Sequence, residues 1–133
     1  MLKDIAKKYY LEKSYNCAES IFLASNEYYN LGLNEKIREV VTAFGGGMGC
    51  GRTCGALTGA LAILGVMVHM EKEPFHQVCT KLIEDYEKEL ETSVCDELKI
   101  RYKTEKERCW KTVEIASDVF EKFIEEVAPK YKK

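Results

Sequence analysis

Residues 53–70 read Thr53-Cys-Gly-Ala-Leu-Thr-Gly-Ala-Leu-Ala-Ile-Leu-Gly-Val-Met-Val-His-Met70, without one Asp, Glu, Lys or Arg in a chain that is 32% charged. An uncharged run of this length touches the lower limit for a membrane span. Cys54, Thr58, His69 and the glycines at 55, 59 and 65 make it small-featured rather than greasy. The reading is a buried central helix of a bundle, not a membrane span. Gly55 and Gly59, four residues apart on one helical face, let a neighbouring backbone, a cofactor or a partner subunit come close, with tight helix packing the commoner use.

Outward from this helix the apolar spacing is helical, with no period-two run. One helix is expected over 2–12. A second starts after Asn16, because Asn16 and Glu19 have the spacing of an N-cap and its reciprocal partner three residues on. Asn34 caps a short helix over 35–44, which the glycine run ends. Thr53 is expected to cap the central helix, running to about Glu71. Pro74 suits the first turn of the next helix, where its missing N–H had no partner anyway. That helix buries Val78, Cys79, Leu82, Ile83, Tyr86 and Leu90. Ser93 is expected to start a short helix. Thr104 and Glu107 form a capping-box pair that opens the last helix, expected to stop near Val127 before Pro129. The fold class is all-α: one domain over 1–133, a bundle of five or six helices with a glycine-rich loop before a central apolar helix.

The 133 residues suffice for one domain with its own core. Twenty basic and 22 acidic residues give a net charge of −2, mixed along the chain, so no polyanion-binding stripe exists and nucleic-acid binding is not expected. The first residues are amphipathic and charged, unlike a secretory signal, and a cytoplasmic location is the expectation. Thiols there stay reduced unless they bind metal or do redox work. Six cysteines therefore need a reason.

Cys50 and Cys54 lie in the loop Phe44-Gly-Gly-Gly-Met-Gly-Cys-Gly-Arg-Thr-Cys54. Glycine permits close backbone approach, and a helix start favours thiolate, the metal-binding and nucleophilic form. Cys17 follows Asn16, Cys54 follows Thr53, Cys95 follows Ser93 by two residues, and Cys109 lies near the start of the last helix. If those ends converge, Cys17, Cys54, Cys95 and Cys109 form a four-thiolate site of the kind that holds an iron–sulfur cluster or structural zinc. Their spacing matches no compact ferredoxin or zinc-finger pattern, and buried cysteines acting as small hydrophobes are the alternative. Cys79 sits mid-face and reads as core. Cys50 is an accessory, a partner for Cys54 or a resolving thiol.

Other motifs fall away. Gly46-x-x-x-x-Gly51-Arg52-Thr53 imitates a phosphate loop with arginine for lysine, but no parallel sheet is expected around it. With two histidines, His69 far along the central helix and His76 on a helix start, a hydrolytic triad has little support. Arg52 either offsets the charge of an anionic cluster or faces solvent.

Asn16-Cys17-Ala18, then Cys54-Gly55-Ala56-Leu57-Thr58-Gly59, then Cys95 and Cys109 make the chain resemble the C_GCAxxG_C_C family of redox-active proteins. The resemblance runs from about Tyr15 to Phe120. It implies redox activity, a bound iron–sulfur centre as the usual suspicion, and association with oxidoreductase systems rather than a defined reaction. The family's shared set is Cys17, Cys54, Cys95 and Cys109; Cys50 and Cys79 fall outside it. Three functions are weighed. The first is an electron-transfer or redox accessory protein holding a 2Fe–2S cluster, with backbone N–H groups of the loop and following helix (Gly47, Gly49, Gly51, Gly55, Gly59) against its sulfurs. The second is a metal-free thiol–disulfide protein, and the third a zinc-binding structural or partner-binding module. The small-residue face at Gly55 and Gly59 also suggests a homodimer, and the redox partner is open.

Overall fold

A computed structural model describes residues 1–131. Helix α1 (Leu2–Lys7) continues through a π-helical turn, Lys8–Glu12. Then come α2 (Cys17–Tyr28), a 3-10 helix (Glu35–Phe44), α3 (Gly55–Met67), α4 (Lys72–Leu90), α5 (Cys95–Tyr102) and α6 (Trp110–Tyr131). The protein is all-α, with six α-helices and no strand among the described residues. None of these helices is long and apolar enough to cross a membrane.

The reason for the uncharged run is plain in the packing. Helix α3 touches α2, α4, α6 and the 3-10 helix, so it has little face left for a charge. Leu57, Ile63 and Leu64 are fully buried along it, each worth about 1.5–3 kcal/mol of apolar transfer. Around it α1 packs on α2 and α6, and α6 on α4. Phe120, Phe123 and Tyr86 fill the space between. The close approach of α2 depends on Gly59, where a Cβ would stand 2.7 Å from the Ala18 carbonyl oxygen and 2.9 Å from the Ala18 Cα. The Gly55–Gly59 face is thus packed inside the protein, against α2 and the end of the 3-10 helix.

Two boundaries differ from expectation, and a third is strained. Helix α3 stops at Met67, where Val68 turns extended (φ −121°, ψ 126°), leaving His69 in the connection to α4. Helix α6 continues through Pro129 to Tyr131, since a missing N–H in a last turn removes one hydrogen bond only. Helix α4 ends at Glu91, held in the left-handed region (φ 66°) where glycine is the comfortable residue. Glu91→Gly relieves that strain and forfeits an exposed ion pair with Arg101, which is worth little. The expected result is a gain of about 0.5–1 kcal/mol, read as a melting point higher by about 3 °C.

Candidate functional site

Four helices begin at one end of the bundle, each with a cysteine as its first residue or just before it. Cys17 is the first residue of α2. The Asn16 side chain accepts the Glu19 N–H (2.8 Å), and the Glu19 carboxylate accepts the Asn16 N–H (3.0 Å), a complete capping box. The same buried carboxylate accepts the Thr42 hydroxyl (2.8 Å) and pairs with Arg38 (3.1 Å). The Asn16 amide donates to the Thr42 carbonyl (2.9 Å). The start of α2 is therefore fastened to the 3-10 helix, and Cys17 with it.

Cys54 and Cys95 are set side by side by a two-residue antiparallel bridge, Thr53 with Val94. The Cys54 N–H donates to the Ser93 carbonyl (2.8 Å) and the Cys95 N–H to the Arg52 carbonyl (2.6 Å). This corrects two expected caps. The cap position of α3 is Cys54 itself, not Thr53, because the backbone of 52–54 is spoken for by 93–95. The cap position of α5 is Val94, not Ser93, whose hydroxyl donates to Glu87 (2.8 Å).

Cys109 departs from expectation more usefully. The Thr104 side chain does accept the Glu107 N–H (3.0 Å). Thr104 and Arg108, however, exchange backbone hydrogen bonds and close the segment into a tight turn, with Arg108 at φ 53°. Helix α6 restarts at Trp110, so Cys109 immediately precedes it instead of lying in its second turn. Its N–H donates to the Tyr10 hydroxyl (2.9 Å), and the Arg108 guanidinium lies 4.1 Å over the Tyr10 ring while donating to the Tyr10 carbonyl. Tyr10, from the π-turn after α1, is what anchors this corner.

All four cysteines line one cavity of about 180 Å³. A single water needs only ~10–15 Å³ measured this way. The wall also carries Lys99, Lys103, Arg108 and Thr112, and no carboxylate. Among the described residues none of the three cations is in an ion pair. Also among the described residues, no three His, Cys, Asp or Glu side chains are grouped as a single metal ion would need.

Of the loop, Gly46 lines the cavity and aims its N–H at the Cys17 sulfur. The other glycines singled out in sequence do not line it. At Gly47 a Cβ would meet the Arg52 nitrogen at 2.5 Å, and at Gly51 the Asp96 carboxylate at 2.1 Å. Gly49 faces open space at φ 76°, and Gly59 packs on α2. Gly55 is closest to the chemistry: a Cβ there would lie 2.5 Å from the Cys17 sulfur and 2.8 Å from the Phe44 carbonyl oxygen. Cys50 is exposed, with its thiol against the Gly47 carbonyl, and Cys79 packs against the core from α4; neither lines the cavity. Residues 40–44, where a phosphate loop would need its preceding strand, belong to the 3-10 helix.

The thiols are not equivalent. Cys54 is pulled down to about 6, first by the hydrogen bond from the Cys17 thiol, against burial, with help from the Tyr86 hydroxyl and the Ala56 and Leu57 N–H groups. Cys17 is held well above its ordinary value by the same shared proton and by burial. Burial also raises Cys95 and Cys109, with Lys99 opposing at the first and Lys103 and Lys99 at the second. In metal-free protein a thiolate absorbance with a midpoint near pH 6 is expected, absent in Cys54→Ser. Unfolded, both thiols titrate near 9.0. Between about pH 6 and 9 the folded pair binds one proton fewer than the unfolded pair, so stability rises with pH. Above 9.0 the unfolded chain releases a proton that folded Cys17 keeps, so stability falls. The urea midpoint of wild type relative to Cys54→Ser should peak near that crossover.

Residues 15–123 match a family described as "Putative redox-active protein (C_GCAxxG_C_C)". The chain belongs to the C_GCAxxG_C_C family. The matched span contains the four cysteines that line the cavity and the two helix glycines, Gly55 and Gly59, that let α2 and Cys17 close on α3. Over 53 residues, 39% of this chain, the protein is 43% identical to an uncharacterized protein of Archaeoglobus fulgidus. That match spans 35% of the relative's length. No solved structure matches the chain. Sequence reading missed Tyr10, Tyr86, Thr112 and the three cavity cations. Only Arg108, adjacent to Cys109, carried a local hint.

Proposed function

We propose that this family member is an electron-transfer or redox accessory protein that holds an iron–sulfur cluster, of 2Fe–2S type, through Cys17, Cys54, Cys95 and Cys109. The observation that carries the reading is the convergence of four helix-start cysteines on one cavity with three cations and no carboxylate in its wall. Four thiolates around a cluster are an anionic assembly, and helix N-termini with Lys99, Lys103 and Arg108 favour negative charge. When bound, the cluster would supply one-electron chemistry. The protein's part is to hold the sulfurs, exclude water behind Leu98 and Val113, and direct the Gly46 N–H at Cys17.

Anaerobic purification or reconstitution with ferrous iron and sulfide tests this. Brown protein with visible absorption and about two irons and two sulfides per chain is the expected result. Colourless protein that stays iron-free after reconstitution defeats it, and stoichiometric zinc in its place selects the structural alternative.

The Cys17–Cys54 contact favours a second reading, a metal-free thiol–disulfide protein. There the Cys54 thiolate would attack a partner's disulfide, and Cys17 would then displace the partner thiol. The protein dithiol would be oxidised as the partner is reduced. A thiol count lower by two after mild oxidation, restored by reductant, would favour this reading.

A further inference from the structure

The buried hydroxyls of Ser20 and Ser25 have no partner in the protein, but several other helical hydroxyls bond the carbonyl four residues back. Thr80 does so to His76 (2.9 Å), Ser117 to Val113 (2.8 Å) and Thr58 to Cys54 (3.4 Å). Thr112 does not. Its fourth residue back is Arg108, which lies outside the helix at φ 53° with its carbonyl accepting the Thr104 N–H. The Thr112 hydroxyl is buried, has no partner, and belongs to the wall of the four-cysteine cavity. On the other side, the Tyr86 hydroxyl of α4 is also buried without a partner of ordinary geometry. It lies against the Cys54 sulfur. A buried hydroxyl left unpaired costs stability, so the one in the cavity wall asks for an acceptor, while that of Tyr86 is already directed at a cavity sulfur.

We propose that the hydroxyls of Tyr86 and Thr112 are hydrogen-bond donors to the sulfurs of the cavity's occupant and set how easily it is reduced. The inference rests on the cluster reading above for the identity of that occupant. Reduction adds negative charge that spreads onto the sulfurs, and a donor hydroxyl stabilises the more negative state. Neither residue ligates; Tyr86 acts through the Cys54 sulfur, and Thr112 from the cavity wall.

The test is anaerobic reconstitution of wild type, Tyr86→Phe, Thr112→Val, the double variant and Thr112→Ser with ferrous iron and sulfide, followed by a redox titration read in the visible spectrum. The double variant is expected to take up wild-type iron yet show a more negative midpoint, equivalent to about a tenfold fall in the reduced-to-oxidised ratio at fixed potential. Thr112→Ser, which keeps the hydroxyl, is expected to titrate as wild type. An iron-loaded double variant with an unchanged midpoint overturns the inference.

Wild type that takes up no iron overturns the cluster reading instead. The metal-free melts then decide the inference alone. A double variant that melts at or above wild type supports hydroxyls kept free for an occupant. One that melts lower shows that they pair within the protein, and the inference falls.

Discussion

Gly59→Ala is expected to destabilise the protein by about 2 kcal/mol, although alanine is the better helix former. The propensity gain is at most ~1 kcal/mol. Against it stands a Cβ 2.7 Å from the Ala18 carbonyl oxygen, 2.9 Å from its Cα and 2.9 Å from a methyl of Ile21. Two of those atoms are backbone, so α2 as a whole must move, and overpacking of this kind costs about 1–3 kcal/mol or more. The loss is a large part of a domain's usual ~5–15 kcal/mol. Gly65→Ala on the same helix is the control. Its nearest neighbour is the Phe75 ring at 4.0 Å, so propensity wins and the urea midpoint should rise. A Gly59→Ala protein as stable as Gly65→Ala would mean that α2 yields freely, and the packing account would fail.

Cys54→Ser is expected to remove bound iron almost entirely, while Cys50→Ser and Cys79→Ser keep the wild-type content. Cys54 has the lowest-titrating thiol, the cap position of α3, the contact with Cys17 and the neighbouring Tyr86 hydroxyl. A serine hydroxyl at that position is a far weaker ligand for iron than a thiolate. Metal analysis and visible absorption of anaerobically reconstituted proteins read the result. Equal iron in Cys54→Ser and Cys50→Ser would place the occupant elsewhere. Gly55→Ala probes the same corner without touching a ligand, since its Cβ displaces the Cys17 sulfur or the Phe44 carbonyl. It should lower iron content while leaving all four cysteines in place.

What could be read from sequence was what is local. The Asn16–Glu19 box works within four residues, so its spacing suffices, and the Asn34 cap is found as expected, its side chain accepting the Lys36 N–H. The uncharged run over 53–70 announces a helix surrounded on all sides. Two of the errors came where partners lie far along the chain, and one where a local turn competes with a cap. Thr53 and Ser93 look like caps in isolation, but 52–54 and 93–95 bond to each other. Thr104 and Glu107 satisfy a capping pattern, and the turn they start closes on Arg108 instead of opening a helix. Tyr10, Tyr86 and Thr112 read as ordinary apolar-face or helix residues. Their bearing on the cavity comes from α1, α4 and α6 meeting at one end. The glycines divide in the same way: Gly59 announced close packing by its spacing, whereas Gly46 was hidden among equals until its N–H was seen beside Cys17.

The bridge between 52–54 and 93–95 also orders events in time. Cys54 and Cys95 become neighbours only when α3 and α4, which make up most of the chain between them, have formed and turned back. Cys17 and Cys109 join through Tyr10 and the α2–α3 contact, which are equally long-range. A partly made chain emerging during synthesis therefore offers scattered single thiols and no chelating set. The fold thus works as a gatekeeper: an occupant that needs all four thiols is offered them together only by a chain that has already folded.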